Sequence, residues 1–259
     1  MSSFIFKPDI YIPIQIEIYN GDCLKLMHDL PDNSIDGVIT DPPYFIDKLD
    51  SQKHNDKKHV NELYSLYLQV SQILFKKLKP SGFFLSFSPP QLYDSIAIAC
   101  ENAGFEIRDR INWRYSESVS EENTVNHAME QNYELKDKDT NCKTSMIKSW
   151  YEPICVAMKP PGERTYILNE IRFNNGHIEF LQKFEIDNDC IYNNKSTIKP
   201  IALIKHLISI FSKKGSTILD PFMGSGTTAL ACLHEGRGCI GYEINLEYFN
   251  ISHKRVNSR

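Results

Sequence analysis

Ile218-Leu219-Asp220-Pro221-Phe222-Met223-Gly224-Ser225-Gly226-Thr227-Thr228 reads as an apolar strand that breaks into a glycine turn and then opens a helix. That order is the usual beginning of a nucleotide-type cofactor site. Gly224 to Ala229 formally fits Gly-x-Gly-x-x-Ala, so a dinucleotide fold has to be weighed. Only about thirty residues follow Gly226, too few for the rest of a dinucleotide domain that begins at this fingerprint. A P-loop is excluded more firmly, because no Lys-Ser or Lys-Thr follows the glycines to hold phosphates. What is left is a non-phosphate ligand lying over a backbone that glycine lets come close. Glu243, ending the next strand, is placed to accept from both hydroxyls of a ribose. Asp22, in Asn20-Gly21-Asp22-Cys23, also ends a strand, where an acid can hydrogen-bond an adenine amino group. Asp220 either steadies the glycine turn or faces an amino-acid end.

A second run, Thr40-Asp41-Pro42-Pro43-Tyr44-Phe45, follows the short apolar strand Ile35 to Thr40. An acid, two prolines and an aromatic at a strand end make a rigid slot for a planar amino compound. Methylating an exocyclic amine is awkward because its lone pair is delocalised into the ring. A carboxylate (Asp41) and a backbone carbonyl (Pro42) accepting its two hydrogens would make that nitrogen more tetrahedral, with Pro43 holding the geometry and Tyr44 stacking on the base. No Pro-Cys dipeptide is present, so the thiolate chemistry of cytosine-carbon methylation has no evident nucleophile. Read alone, an acid before two prolines is also an ordinary turn.

Around these runs strands and helices alternate, which predicts an α/β fold with a mostly parallel sheet. Strands are expected at Ile14 to Tyr19, Ile35 to Thr40, Phe83 to Phe87, Phe105 to Trp113, Tyr151 to Met158, Thr217 to Asp220 and Cys239 to Glu243. Helices are expected at Asn61 to Leu78, stopped by Pro80-Ser81-Gly82, and at Pro89 to Ala103, Ile201 to Phe211, Thr227 to His234 and Leu246 to Val256. The chain reads as a single domain over 1–259, with insertions at about 46–60, 114–149 and 160–195 that suit functional loops better than scaffold. The stretches 46–60 and 114–149 flank the expected base pocket and are expected to be mobile without DNA and to contribute to duplex binding.

At 41% hydrophobic content, 259 residues can bury the core of such a domain. No stretch approaches the roughly 20 apolar residues of a membrane helix, and the first residues lack a signal pattern, so a cytoplasmic protein is expected. Seven scattered cysteines without Cys-x-x-Cys spacing argue against zinc or a redox pair, and no metal is expected. The net charge of −4 argues against a strong nonspecific polyanion binder, so any DNA contact must be local. Candidate basic clusters are Lys53, Lys57, Lys58 and His59; Lys76, Lys77 and Lys79; and Lys254, Arg255 and Arg259, each of which also reads as a solvated face.

With both motifs in view, the chain resembles the amino-methyltransferases of bacterial and phage DNA modification over nearly its whole length. Asp-Pro-Pro-Tyr precedes Phe-x-Gly-x-Gly, an order that resembles the β group of N(6)-adenine and N(4)-cytosine DNA methylases. The resemblance implies a class I S-adenosylmethionine-dependent methyltransferase fold, Rossmann-like with an antiparallel strand and circularly permuted. It implies S-adenosylmethionine as cofactor, held by Asp22, Asp220, Phe222, Gly224, Ser225, Gly226, Thr227, Glu243 and Lys199, with Asp41, Pro42, Pro43 and Tyr44 around a flipped base. Thr197-Ile198-Lys199-Pro200 resembles the family's segment beside the methionine end of the cofactor, although the usual His-Pro before it is Lys195-Ser196 here. Double-stranded DNA is the implied partner; a homodimer and a cognate restriction endonuclease stay open.

Adenine and cytosine both present an amine beside a ring nitrogen, so the slot itself admits either. In the resembling family Asp-Pro-Pro-Tyr is more usual for adenine, which favours that base. Three rivals stand beside this reading: protein-glutamine methylation, a catalytically silent DNA-binding subunit, and an oxidoreductase using the glycine turn for NAD. The glutamine methylases open their motif with Asn and carry the cofactor motif first; neither holds here.

Overall fold

The computed structural model describes residues 14–44, 57–114, 151–161 and 199–258. The expected insertions at 46–60, 114–149 and 160–195 fall almost wholly outside these residues, as do Phe45 and Thr197. In chain order the elements are β1 (Ile16–Asn20), α1 (Cys23–Leu26), β2 (Ile35–Thr40), α2 (Lys57–Lys77), β3 (Leu78–Phe87), α3 (Tyr93–Asn102), β4 (Glu106–Arg114) and β5 (Tyr151–Met158). They continue as α4 (Ile201–Phe211), β6 (Thr217–Asp220), α5 (Thr227–Glu235), β7 (Gly238–Glu243) and α6 (Leu246–Asn257).

The strands form one seven-stranded sheet in the order β1-β7-β6-β2-β3-β5-β4. β1, β7, β6, β2 and β3 pair in parallel, while β5 runs antiparallel to both β3 and β4. The sheet is covered on both faces, and the alternation of side chains shows why these segments are strands. Val38, Phe84 and Cys155 point into a core with Leu63, Tyr67, Val70 and Leu74 of α2 and Ile96 and Ala99 of α3. Their chain neighbours Ile39, Leu85 and Val156 point into the other, with Leu203, Leu207 and Ile208 of α4 and Ala229 and Cys232 of α5. A strand apolar on both faces reads as a continuous hydrophobic run, as in Ile154 to Met158 of β5.

The expected elements recur, most within a residue or two. The stop at Pro80-Ser81-Gly82 is the main difference: α2 does end at Lys77, but those three residues lie inside β3. The ladder is irregular there, with Ile35 opposite Leu78 and Gly37 opposite Phe83, so the turn-forming residues bulge out of one strand. Ser81, at φ 68°, donates its amide to Lys159 O at 2.9 Å, which carries the bulge across to the end of β5. The expected helix from Pro89 starts instead as a 3-10 turn over Pro90–Leu92 before α3. The short helix α1 had no sequence signal beyond its cap, Asp22, whose carboxylate accepts from the Leu24 amide at 2.9 Å.

Candidate active site

In a parallel sheet the carboxyl ends of β1, β7, β6 and β2 share one edge, and both motifs begin there. β6 and β2 are neighbours at the centre, and the chain leaves them in opposite directions, β6 towards β7 and β2 towards β3. Such a switch point opens a crevice. Thr40, the last residue of β2, donates its hydroxyl to Asp220 Oδ1 of β6 at 2.6 Å, both residues being buried. The two motifs are thereby tied directly to each other.

Beyond Thr40, Pro42 is buried and Pro43 exposed, while Asp41 and Tyr44 are partly covered. Asp41 is held on both oxygens. Its Oδ2 lies 2.7 Å from Lys199 Nζ, and its Oδ1 accepts from the Tyr44 hydroxyl. A second carboxylate completes the group: Glu152 Oε1 lies 2.9 Å from Lys199 Nζ and 3.0 Å from the Tyr44 hydroxyl. The Lys199 ammonium also stands over the Phe87 ring, 5.1 Å from its centroid. Burial pulls the Lys199 pKa down, but Asp41 and Glu152 outweigh it and the net shift is upward, so the ammonium keeps its charge. Burial, then the two carboxylates, push the Tyr44 phenol far above its ordinary value, so it stays a donor.

The glycine turn follows β6. Asp220 accepts the Phe222 amide at 3.1 Å as well as the Thr40 hydroxyl, and both bonds steady the turn. Burial raises its carboxyl to about 6, against the opposing pull of the Thr40 and Thr228 hydroxyls and the Phe222 amide. Glu243 ends β7 and accepts the Gly224 amide on Oε2 at 2.8 Å and the Asn245 amide on Oε1 at 2.7 Å. Each of its oxygens keeps a lone pair for a ligand. Asp22 stands at the neighbouring strand end, where the Gly21 amide reaches Glu243 O at 2.9 Å.

The two glycines of the turn are required for different reasons. A Cβ on Gly224, at φ +54°, would meet nothing nearer than Phe222 O at 4.0 Å, so this backbone is open to an approaching ligand. A Cβ on Gly226, at φ +86°, would come within 2.8 Å of Ser252 Cβ and 3.0 Å of Ser252 Cα. Gly226 is therefore small because α6 packs against it. The same helix holds the next residues: Arg255 donates to Ser225 O at 2.6 Å and Oγ at 2.9 Å, and stands 3.5 Å from Thr227 Oγ1. Ser225, Gly226 and Thr227 thus face α6, while Phe222, Gly224 and Glu243 border the strand edge.

Lys199 is placed apart from the other expected cofactor residues, in the Asp41 group. Glu152 was not picked out in the sequence, yet its signal was present as the one acid in the otherwise uncharged run Tyr151 to Met158. Two members of the basic clusters turn inward. Lys77 is 7% exposed and donates to Leu30 O at 2.6 Å and Asp32 at 2.8 Å, and Arg255 clasps the turn. Neither is a free phosphate contact.

Comparison with known proteins agrees with this geometry. The family model described as DNA methylase matches residues 35–254. The Type II methyltransferase M.HpaI of Haemophilus parainfluenzae is 27% identical over 252 residues, 92% of this chain and 73% of that protein. The DNA adenine methyltransferase YhdJ of Escherichia coli is 27% identical over 253 residues, 93% of this chain and 82% of that protein. Among solved structures, the complex of M1.HpyAVI with SAM superposes with a TM-score of 0.64 at 24% identity, covering 94% of this chain and all of that one (100%).

Proposed function

This chain belongs to the DNA methylase family, and from that premise we propose that it transfers the methyl group of S-adenosylmethionine to the exocyclic amine of adenine in duplex DNA. The observation that carries the reading is the Thr40 to Asp220 bond of 2.6 Å, which joins an amine-binding strand end to a cofactor-type glycine turn. A nucleoside sulfonium fits the residues present. The open face of Gly224 admits a ligand, Phe222 offers a flat apolar surface, and Glu243 keeps lone pairs for ribose hydroxyls. Asp22 is the candidate for the adenine amine of the cofactor. When bound, S-adenosylmethionine supplies an electrophilic methyl group.

The chain's own part is to bring a nucleophile to that methyl. Asp41 would accept one hydrogen of the target amine and the Pro42 carbonyl the other, drawing the nitrogen towards a tetrahedral shape and freeing its lone pair; as the N–C bond forms and the sulfonium S–C bond breaks to leave S-adenosylhomocysteine, the proton the amine gives up would pass to Asp41. Pro42 and Pro43 fix φ so that the acceptors do not swing away. Tyr44 covers one face of a base turned out of the duplex. No covalent intermediate with the protein is involved. The strand order, with β1 beside β7, suits a circularly permuted methyltransferase sheet, and the stretches 46–60, 114–149 and 160–195 are the candidates for DNA contact within a single domain.

Adenine is preferred over cytosine because the motif begins with Asp and because a relative of similar length is named for adenine. The test is transfer of labelled methyl from S-adenosylmethionine to unmethylated genomic DNA, followed by digestion to nucleosides. Label in methyldeoxyadenosine is expected, and Asp41→Ala should abolish it while cofactor binding persists. Label in methyldeoxycytidine would overturn the base assignment, and an active Asp41→Ala protein the role of Asp41.

A further inference from the structure

The Asp41 group poses a problem for the reaction just described. Both of the Asp41 oxygens are engaged by donors of the protein itself, Lys199 Nζ at 2.7 Å and the Tyr44 hydroxyl. Each oxygen keeps a second lone pair, but an oxygen already accepting from an ammonium or a phenol is the poorer acceptor, so the arriving amine competes with both donors. A displaced ammonium or phenol left without an acceptor in a site this covered is strongly disfavoured, the charged group most of all. Lys199 has a side chain only 12% exposed, so water offers it little relief.

Glu152 removes the difficulty. Its Oε1 is already within 2.9 Å of Lys199 Nζ and 3.0 Å of the Tyr44 hydroxyl. The tyrosine has a single proton, which serves one carboxylate at a time. The residue is anchored by its strand, since β5 pairs with β4 through Glu152 opposite Trp113, and its side chain is 10% exposed. Two carboxylates therefore share two donors, Asp41 at the strand end that carries the amine slot with its side chain 27% exposed, and Glu152 the more deeply covered of the two.

We propose that Glu152 is a positioning residue that takes over Lys199 and Tyr44 from Asp41 when the target amine arrives. In the DNA-free protein the donors are divided between the two acids. On base entry they relax onto Glu152, Asp41 Oδ1 and Oδ2 become available to the amine, and no buried donor is orphaned. Neither donor has to travel, because both already lie at hydrogen-bond distance from the receiving oxygen. This inference rests on the assignment of Asp41 to the amine.

The test uses the full chain, labelled S-adenosylmethionine and unmethylated genomic DNA. Glu152→Gln weakens the alternative acceptor at nearly constant shape, so kcat should fall at least tenfold while cofactor affinity by calorimetry stays within twofold. Removing a competing donor should then help. Lys199→Met in the Glu152→Gln background is expected to be several-fold more active than Glu152→Gln alone. A structural role for Glu152 predicts the reverse, with losses that multiply. Multiplying losses, or a Glu152→Gln enzyme with wild-type kcat, would overturn the proposal. If Glu152→Gln fails to fold by circular dichroism, Glu152→Asp with and without Lys199→Met is read by the same criteria, and a folded Glu152→Gln that loses cofactor binding overturns the proposal. A wild-type protein that methylates no DNA would instead refute the reading of the site as a whole, which keeps the two failures apart.

Discussion

Asp220 couples the geometry of the site to pH. Its carboxyl is raised from 3.8 to about 6 by burial, so between those values the folded protein holds a proton that the unfolded chain has released. The stability this contributes is fully present below about pH 4 and is lost as the pH rises through 6. A carboxyl raised that far corresponds to about 3 kcal/mol. Asp220→Asn keeps an acceptor for Thr40 and Phe222 and can donate to Thr228. It should match the wild type near pH 4 and exceed it by about 2–3 kcal/mol at pH 7.5. Thermal unfolding across that range is the measurement, and a pH-independent difference would count against it. Glu243→Ala tests the cofactor side. With roughly 1.5–3 kcal/mol for each hydrogen bond to a charged group, affinity for S-adenosylmethionine should drop tens-fold or more. Unchanged calorimetry in a folded variant would remove Glu243 from the ribose. Residue identities at strand ends were legible because a motif announces its own chemistry. Glu152 was not, because it is close to Asp41 and Tyr44 only through the pairing of β3 with β5, which no local pattern encodes.

At the scale of elements, the glycine turn is shaped by α6 as much as by any ligand. Gly-x-Gly marks a turn in sequence, but the partner that forbids a side chain at Gly226 is Ser252, contributed by a helix on the far side of β7. Gly224 and Gly226 should therefore separate on substitution. Gly224→Ala carries only the left-handed backbone penalty of about 1 kcal/mol, so the protein should fold while cofactor affinity falls. Gly226→Ala adds a clash with the backbone and side chain of Ser252, and overpacking of that kind costs a further ~1–3 kcal/mol. Urea unfolding should rank Gly226→Ala well below Gly224→Ala; equal stabilities would mean that α6 yields freely. The bulge in β3 teaches a related lesson. Pro80-Ser81-Gly82 has turn chemistry and does turn, yet the flanking apolar residues keep the ladder on both sides, so a breaker became an irregular strand.

For the whole molecule, a mostly parallel sheet covered on both faces follows from strand–helix alternation plus two apolar faces, and the fold class was legible for that reason. Which strand lies next to which is a long-range property that no local pattern encodes. β1 and β7 are adjacent in the sheet though they stand near opposite ends of the chain. α6 follows β7 directly, and His253, Val256 and Asn257 line the same shallow cleft as Ile16 to Tyr19, so the last helix already lies beside the first strand. Linking residue 259 to residue 1, and opening the chain within 162–198, would give the order α4-β6-α5-β7-α6-β1 followed by β2 to β5 with their helices. Every strand pairing would survive, including β2 with β6 and the Thr40 to Asp220 bond. Elements that lie side by side, as β1 and the end of α6 do along this cleft, tolerate such rewiring. The permuted protein should fold cooperatively and bind S-adenosylmethionine within a few-fold of the original. Any loss should appear in DNA affinity, since the new opening lies in a candidate DNA-contact stretch. Calorimetry and labelled methyl transfer on both chains separate these effects, and a permuted chain that folds but cannot bind cofactor would show that the β7-α6-β1 side depends on its present connection.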